Sequence, residues 1–415
     1  MKISNEEKRD PYSSLRFQDF RYFLVARFVS VFAIQMQAVV VGWLVYEKTK
    51  DPLSLGLIGL CEVVPAISVA LYAGHIADKT DRRFIIVTCI IGLLLCYLAL
   101  VGLSLPSYNS SVWEIYLVIF FSGIVRGFLV PSLSAFAAQL VPKDIFPNAA
   151  TWNSTAWQIA AVGGPALGGA IYGFFDATHT FSIVAILICI SLFLFLRVSK
   201  KEIPKTSIDD TISERLFSGI RYVFRNQIIL GALTLDLFAV LFGGAVALLP
   251  IFAGEILMVG PEGLGLLRAS PSIGASIMAV FLAYKPPLKK AGKFLLFSVA
   301  GFGVCMILFA LSKSFFLSVF ILAVSGMLDM VSVVIRSTVV QTNTPENMRG
   351  RVSAVNSIFI GSSNELGAFE SGVAAKLLGT VPSVIFGGAI TVLVVIISSF
   401  KAPKLRNLNL KDDIW

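Results

Sequence analysis

The chain has 415 residues, of which 56% are hydrophobic and only 14% are charged, and its formal net charge is +9. This composition excludes an ordinary soluble domain, in which about a quarter of the residues are charged. The charged residues gather between long apolar stretches, as a lipid bilayer requires. The composition therefore predicts an all-α integral membrane protein with lipid, and not nucleic acid, as its surroundings.

Twelve apolar stretches are long enough to cross the hydrocarbon core, which takes about 20 residues of helix. Six of them precede a polar linker at 199–227, and six follow it. The predicted spans are 20–46, 52–77, 84–105, 114–141, 147–175, 180–198, 228–254, 263–284, 293–312, 315–341, 351–378 and 381–400. We therefore expect one six-helix half in residues 1–198 and a second in residues 228–415.

Lys and Arg are distributed unevenly between the two sides of this predicted bundle. With a cytoplasmic N-terminus, 26 of the 34 Lys and Arg residues fall on cytoplasmic segments and three fall on outer loops. Because positively charged loops stay in the cytoplasm, both termini are expected there. Residues 211–225 of the linker place Arg215, Arg221 and Arg225 between apolar residues at helical spacing, which predicts a helix on the inner membrane surface.

The two predicted halves repeat each other in sequence. At an offset of 209 residues, Gly56 falls on Gly265. Beyond the outer loop 106–113 the offset becomes 203, and the register holds for Ser122-Gly123 on Ser325-Gly326, Pro142 on Pro345, Asn153-Ser154 on Asn356-Ser357, Gly164 on Gly367 and Gly169 on Gly372. Parallel repeats are related by an axis along the membrane normal, and this arrangement suits alternating access to a site between the halves.

Three motifs in the first half carry a resemblance to a known family. The loop after span 2 reads GHIADKTDRR from residue 74, span 5 reads GPALGG from residue 164, and span 4 contains Arg126 within SGIVRG. The chain resembles the major facilitator superfamily over essentially its whole length, with Asp81 where the loop motif usually has Gly. The resemblance implies a conformational latch and an antiporter motif. The latch residues would be Gly74, Asp78, Lys79, Arg82 and Arg83, and the antiporter residues Gly164, Pro165, Gly168 and Gly169.

Two further segments are similar to one branch of that superfamily. They are ARFVS at 26–30 and QTNTPENMRGR at 341–351, which look like the group of enterobactin exporters and macrolide-efflux-like proteins. The resemblance implies a proton-coupled exporter of a siderophore or another amphipathic compound, in a bacterial inner membrane. We expect it to work as a monomer whose partners are a small-molecule substrate, protons and the bilayer.

Ionisable residues inside the spans are costly and are therefore functional candidates. Arg27 superposes on Asp236 through the repeat, and Arg126 superposes on Asp329, so the first half carries Arg where the second carries Asp. Spans 1, 4, 7 and 10 are the ones that the resemblance places around the central cavity. We therefore predict an arginine wall that faces an aspartate wall, with Arg336 on the same helix face as Asp329.

In this hypothesis the arginines bind a carboxylate, catecholate or phosphate of the substrate, and Asp329 carries the proton. The opposing interpretation is that the charges neutralise one another as structural pairs. Glu62 and Glu365 are further cavity candidates, whereas Glu370 is as well suited to packing between helices. Arg268 is expected to snorkel towards the outer surface and is left out of the site.

Other classes of function find little in the sequence. Cys61, Cys89, Cys96, Cys189 and Cys305 lie inside apolar stretches without paired spacing, and the two His are isolated. No metal cluster, nucleotide-binding loop or nucleophile–base set is present, so neither an enzyme nor a cofactor is expected. The alternative that stays open is a facilitator or importer of a lipid-like or iron-chelate solute on the same fold.

Overall fold

The computed structural model describes residues 10–201, 212–285, 287 and 289–410. Its long helical segments follow the twelve predicted spans one for one. Spans 1 to 6 are Gln18–Thr49, Pro52–Lys79, Arg82–Leu103, Val112–Ala137, Phe146–Phe174 and Ala177–Arg197. Span 7 begins at Gln227 and ends at Ile256, and spans 8 to 12 are Gly260–Tyr284, Ala291–Leu311, Phe315–Thr342, Arg349–Leu378 and Thr380–Lys401.

Among the described residues, ten helices are long and apolar enough to cross a membrane. The other two long segments are spans 5 and 11, of 29 and 30 residues. Both pack against a span of the opposite half, span 5 on span 8 and span 11 on span 2. A helix that packs against protein tolerates more polar side chains than one that faces lipid.

Local sequence sets where several spans begin. The Asp51 carboxylate accepts a hydrogen bond from the Ser54 N–H at the first turn of span 2. Ser111 and Glu114 form a capping box at the start of span 4, and Asn226 caps the first turn of span 7. Each cap satisfies backbone N–H groups that a helix start leaves without a partner.

Span 7 is the one predicted span that the structure interrupts. Its first helix ends at Gly243, a 3₁₀ turn covers Ala245–Leu248, and a π turn covers Phe252–Ile256. Pro250 has no N–H to donate to the carbonyl of Val246, so one hydrogen bond of the helix is missing here, and its ring crowds the preceding turn. The Gly244 carbonyl, freed by the break, accepts a hydrogen bond from Ser371 Oγ of span 11 at 3.0 Å.

The halves meet through two contacts that the internal repeat relates to each other. A Cβ on Gly56 of span 2 would lie 3.0 Å from the Gly372 Cα of span 11. A Cβ on Gly265 of span 8 would lie 3.1 Å from the Gly169 Cα of span 5. Because Gly56 is the repeat of Gly265 and Gly169 is the repeat of Gly372, the two contacts are images under a pseudo-twofold axis.

Both glycine contacts lie towards the same side of the bundle, which we call the closed side. It carries the loops at 50–51, 104–111, 175–176 and 312–314. The other side carries the Lys- and Arg-rich segments, and we call it the basic side. The two halves are therefore in close helix contact towards the closed side.

The linker contains the helix Ile212–Arg225, as the sequence predicts. This linker helix packs on the second half. Tyr222 Oη donates a hydrogen bond to the Asn343 carbonyl at 2.6 Å, and Gly219 lies against the backbone of Arg351 at the start of span 11. Arg221 and Arg225 are exposed beside it.

Candidate functional site: two clusters of charge within the spans

Four charged side chains lie near one another in the region where the two halves join. Arg126 of span 4 forms an ion pair with Glu62 of span 2. Glu365 of span 11 interacts electrostatically with Arg126 and also with Arg268 of span 8. We call Glu62, Arg126, Arg268 and Glu365 the interface cluster. It contains one Glu and one Arg from each half, and its formal charge is zero.

Small residues bring these charges together. A Cβ on Gly123 of span 4 would lie 2.9 Å from the Pro65 Cγ of span 2, so Gly123 lets the helices that carry Arg126 and Glu62 approach closely. Three residues before Glu62 on span 2, a Cβ on Gly59 would lie 3.1 Å from Glu365 Oε2. Span 2 is therefore the element against which charges from both halves gather.

Arg268 is the member that the sequence argument left out. It was expected to snorkel because it lies near the end of span 8. The structure leaves it half-buried, three residues after the Gly265 contact with span 5. The spacing of Arg268 from Gly265 could have placed it in the site from the sequence. Residues three apart share a helix face, and Gly265 faces the other half.

A second set of charges lies wholly inside the second half. Asp236 of span 7 and Arg336 of span 10 form an ion pair and are only 6% and 4% exposed. Asp329 of span 10 lines the same cleft as Asp236, together with Ser298 and Ser332. We call Asp236, Asp329 and Arg336 the C-half cluster. It holds two carboxylates and one guanidinium, and spans 7, 9 and 10 form its walls.

This arrangement differs from two facing walls. Arg126 is paired with Glu62 of its own half, and Asp236 is paired with Arg336 of its own half. Asp329 lies in a cleft within one half and not opposite Arg126. The guanidinium of Arg27 is half-buried and has no hydrogen bond or ion pair with any residue that the structure describes. The pairing interpretation thus describes the contacts of Arg126 and Asp236. Arg27 and Asp329 have no ion-pair partner among the described residues.

The glycines of the predicted antiporter motif pack two helices against span 5. A Cβ on Gly164 would lie 2.7 Å from the Gln35 Cβ of span 1, and one on Gly168 would lie 3.0 Å from the Met36 Cα. Gly169 makes the contact with Gly265 of span 8 described above. Pro165 lies in the interior of span 5 and is buried. The motif therefore supplies close packing both within the first half and between the halves.

The predicted latch is described in part. Arg82 Nη1 donates to the Ala135 carbonyl at 2.9 Å and Arg83 Nη2 donates to the Leu196 carbonyl at 2.7 Å, both within the first half. The Oδ2 atom of Asp81 lies 3.7 Å from the Nζ atom of Lys200. The side chains of the remaining predicted latch residues, Gly74, Asp78 and Lys79, lie outside the described residues.

Polar contacts join the halves at the closed side. Lys376 Nζ of span 11 lies 2.5 Å from Asp51 Oδ1, at the start of span 2. Burial acts to raise the pKa of Asp51, but hydrogen bonds from Lys376 and Ser54 outweigh it and hold the pKa below its ordinary value. Tyr46 Oη of span 1 donates to Glu255 Oε1 of span 7 at 3.2 Å.

Comparison with known proteins settles the family. The model of the transmembrane secretion effectors matches residues 9–414. The chain belongs to this family of transporters. It is 26% identical over 342 residues to the enterobactin exporter EntS of Shigella flexneri, a match that covers 81% of this chain and 80% of that one. As a member of the major facilitator superfamily it is a transporter and not an enzyme, and its relatives support export.

Solved structures show the same fold at low sequence identity. A bacterial homologue of the human lysosomal transporter Spinster, in an inward-facing and unoccupied conformation, superposes with a TM-score of 0.71 at 15% identity, covering 96% of this chain and 99% of that one. An inward-facing bacterial homologue of the iron transporter ferroportin gives 0.70 at 16% identity, with 94% and 99% covered. The major facilitator fold of this transporter is thereby confirmed.

Proposed function

We propose that this transporter is a proton-coupled antiporter that exports a siderophore or another amphipathic organic compound by alternating access. The observation that carries the proposal is the separation of charge into two clusters. One is neutral and lies between the halves, and the other has a surplus carboxylate and lies inside one half. Because the substrate and the proton would bind at separate sites, a change of conformation can move one out of the cell and the other in.

The C-half cluster supports a proton site. With Asp236 and Arg336 paired, Asp329 adds a negative charge to a cleft within the membrane, where uncompensated charge is costly. One proton on Asp329 brings the cluster to neutrality. Ser298 and Ser332, which line the cleft beside Asp329, have hydroxyls that can donate to the carboxylate when the proton has left.

The interface cluster supports a substrate site. It lies between the halves, where alternating access requires the substrate to bind. Its guanidiniums suit carboxylate and catecholate oxygens through paired hydrogen bonds. Arg27, which has no charged partner among the described residues, adds a third cation in span 1. The enterobactin export of the relatives makes a catecholate siderophore the first compound to test.

The proposal includes a topology. The distribution of Lys and Arg favours cytoplasmic termini and an inner-membrane location, so the basic side would face the cytoplasm. The closed contacts Gly56–Gly372 and Gly169–Gly265 would then face outwards, and the conformation would be the one that loads substrate from the cytoplasm. Residues 1–198 and 228–415 would be the two moving halves of a monomer, joined by the linker at 199–227.

Transport into sealed proteoliposomes under an imposed pH gradient tests the proposal. Iron-free enterobactin and a macrolide are offered to the wild-type protein, to Asp329→Asn and to Glu370→Gln. The last is a matched control, because it neutralises a carboxylate within the spans that lies outside both clusters. We expect gradient-driven uptake of one compound, lost in Asp329→Asn and kept in Glu370→Gln.

The same assay can reject the proposal. Uptake that ignores the pH gradient in the wild-type protein would favour the facilitator. Gradient-driven uptake that survives Asp329→Asn would remove Asp329 as the proton carrier.

A further inference from the structure

The cleft between spans 7, 9 and 10 is lined by oxygen-bearing side chains and by apolar ones. Its polar lining consists of the carboxylates of Asp236 and Asp329 and the hydroxyls of Ser298 and Ser332. Asp236, Ser298 and Ser332 are at most 6% exposed. No other polar or charged side chain among the described residues lines this cleft. The cleft therefore offers oxygen donors and no nitrogen or sulfur ligand.

The hydroxyl of Ser332 has no partner among the described residues. Ser298 of span 9 donates to the Phe294 carbonyl of its own helix at 2.8 Å, as buried serines in helices commonly do. Ser332 is only 3% exposed, yet it makes no hydrogen bond with any described residue. A buried hydroxyl without a partner is costly. Because Ser332 lies three residues after Asp329, the two share a helix face, and one ligand in the cleft can contact both.

The charges at this cleft leave one negative charge in excess. The Asp236 carboxylate forms an ion pair with Arg336, whereas Asp329 has no ion-pair partner among the described residues. The first half has no counterpart of this excess, because the repeat places Arg27 and Arg126 at the positions of Asp236 and Asp329. An uncompensated charge within a membrane is costly. A single positive charge bound in the cleft would remove that cost.

We propose that this cleft is a binding site for a small monovalent metal cation, with Asp329 and Ser332 as side-chain ligands and Na⁺ as the first ion to test. Hard cations take oxygen ligands, and Ser298 still has lone pairs to offer, because it donates its proton to a carbonyl. A divalent ion would leave a positive charge in excess. Mg²⁺ would also keep several of its waters, for which a cleft volume of about 10 Å³ has no room.

This inference rests on the proposed function in one respect, since Asp329 must release its proton before it can bind the ion. One carboxylate cannot hold a proton and a metal ion at once, so Na⁺ and the proton are alternative occupants of the same site. The ion therefore extends the proposed proton site and leaves the substrate site in the interface cluster as it was.

Binding of radioactive Na⁺ to the purified full-length protein tests this inference without any gradient. The assay is run in detergent at pH 8, with choline chloride to hold the ionic strength constant. We expect saturable binding that unlabelled Na⁺ and Li⁺ displace and that K⁺ and Mg²⁺ do not. Binding should be lost in Asp329→Asn. It should weaken by roughly tenfold in Ser332→Ala, the loss that one contact to a charged group implies.

Two matched controls accompany these variants, and all four are first checked for monodispersity and for their Tm. Ser325→Ala makes the same change on the same helix, but Ser325 lies outside the cleft lining and donates to the Leu322 carbonyl at 2.7 Å. Glu370→Gln neutralises a carboxylate of span 11 outside both clusters. Both controls should bind Na⁺ as the wild-type protein does.

Three results would overturn the inference. They are the absence of saturable Na⁺ binding in the wild-type protein, equal displacement by K⁺ or Mg²⁺, and unchanged binding in folded Asp329→Asn and Ser332→Ala proteins. The pH-gradient assay in Na⁺-free buffer gives a separate result. Gradient-driven transport without Na⁺ binding would leave proton coupling standing and remove the cation site, and the converse result would do the opposite.

Discussion

At the scale of single residues, the structure divides the charges within the spans into paired and unpaired groups. Asp236 and Arg336 are almost completely buried and neutralise each other. A buried pair of this kind adds little net stability, but the loss of one partner leaves an uncompensated charge in a medium that cannot solvate it. The two groups should therefore respond differently to neutral substitutions.

Asp236→Asn should lower the free energy of unfolding by about 3–5 kcal/mol, because it removes the carboxylate that forms an ion pair with the buried Arg336 guanidinium. The double variant Asp236→Asn/Arg336→Gln should recover a large part of this loss. The measurement is the Tm of purified protein in detergent. A double variant less stable than the single one would show that the pair contributes more than mutual neutralisation.

At the scale of helices, the closed side depends on small residues and on one ion pair. The contact between Gly265 and Gly169 leaves no room for a side chain, since a Cβ on Gly265 would lie 2.6 Å from the Pro165 carbonyl oxygen. Spans 5 and 8 would have to separate to accommodate it. One methyl group added at Gly265 should therefore shift the equilibrium from the conformation in which the closed side is in contact to the one in which it has separated.

Gly265→Ala should disfavour the closed contact by about 1–3 kcal/mol, the usual cost of overpacking. Spin labels at Ser107 and Leu377, both exposed at the closed side, would report longer distances between the halves in a background without the five native cysteines. Gly102→Ala is the matched control, because a Cβ there meets no atom within 4 Å. Equal distance distributions in the two variants would contradict the prediction.

The Asp51–Lys376 pair should stabilise the closed side without sensing pH in the physiological range. A carboxyl whose pKa is lowered in the closed state contributes stability above its ordinary pKa, and that stability is lost only as the pH falls through the lowered value. The ordinary pKa and the lowered pKa both lie well below 5.5, because the ordinary pKa of Asp is about 3.9. The pair therefore differs from the proposed proton site in the C-half cluster.

We expect Asp51→Asn to reduce the closed population by up to about fivefold, the range for exposed ion pairs. The reduction should be the same from pH 5.5 to pH 8, measured with the spin labels at Ser107 and Leu377. If the closed population depended on pH in the wild-type protein but not in Asp51→Asn, the Asp51–Lys376 pair would be the proton sensor instead.

At the scale of the whole molecule, the insertion of the chain decides which side of the membrane the closed side faces. The charge distribution predicts that the C-terminus is cytoplasmic and that the loop containing Ser107 faces outwards. Green fluorescent protein and alkaline phosphatase, each fused after Trp415 and each inserted at Ser107, test this in bacterial cells. Fluorescence should appear at Trp415 and phosphatase activity at Ser107. The reverse pattern would place the closed side in the cytoplasm.

The twelve-span fold was predictable because apolar length, loop charge and repeat register are written along the chain. Spans 1, 8 and 12 begin within three residues of their predicted positions. The break in span 7 was not predicted. Gly244 and Pro250 occur in an apolar stretch that reads as one helix, and the break is tolerated because Ser371 of another span satisfies the freed carbonyl.

The sequence by itself determined which residues carry charge inside the membrane, since each costs free energy in a hydrocarbon environment. It also determined the equivalence of Arg27 with Asp236 and of Arg126 with Asp329. Only the tertiary structure decided the partners. Side-chain pairing depends on which helix faces meet, so Glu62 rather than Asp329 neutralises Arg126, and Arg268 joins the interface cluster because Gly265 lets span 8 approach span 5.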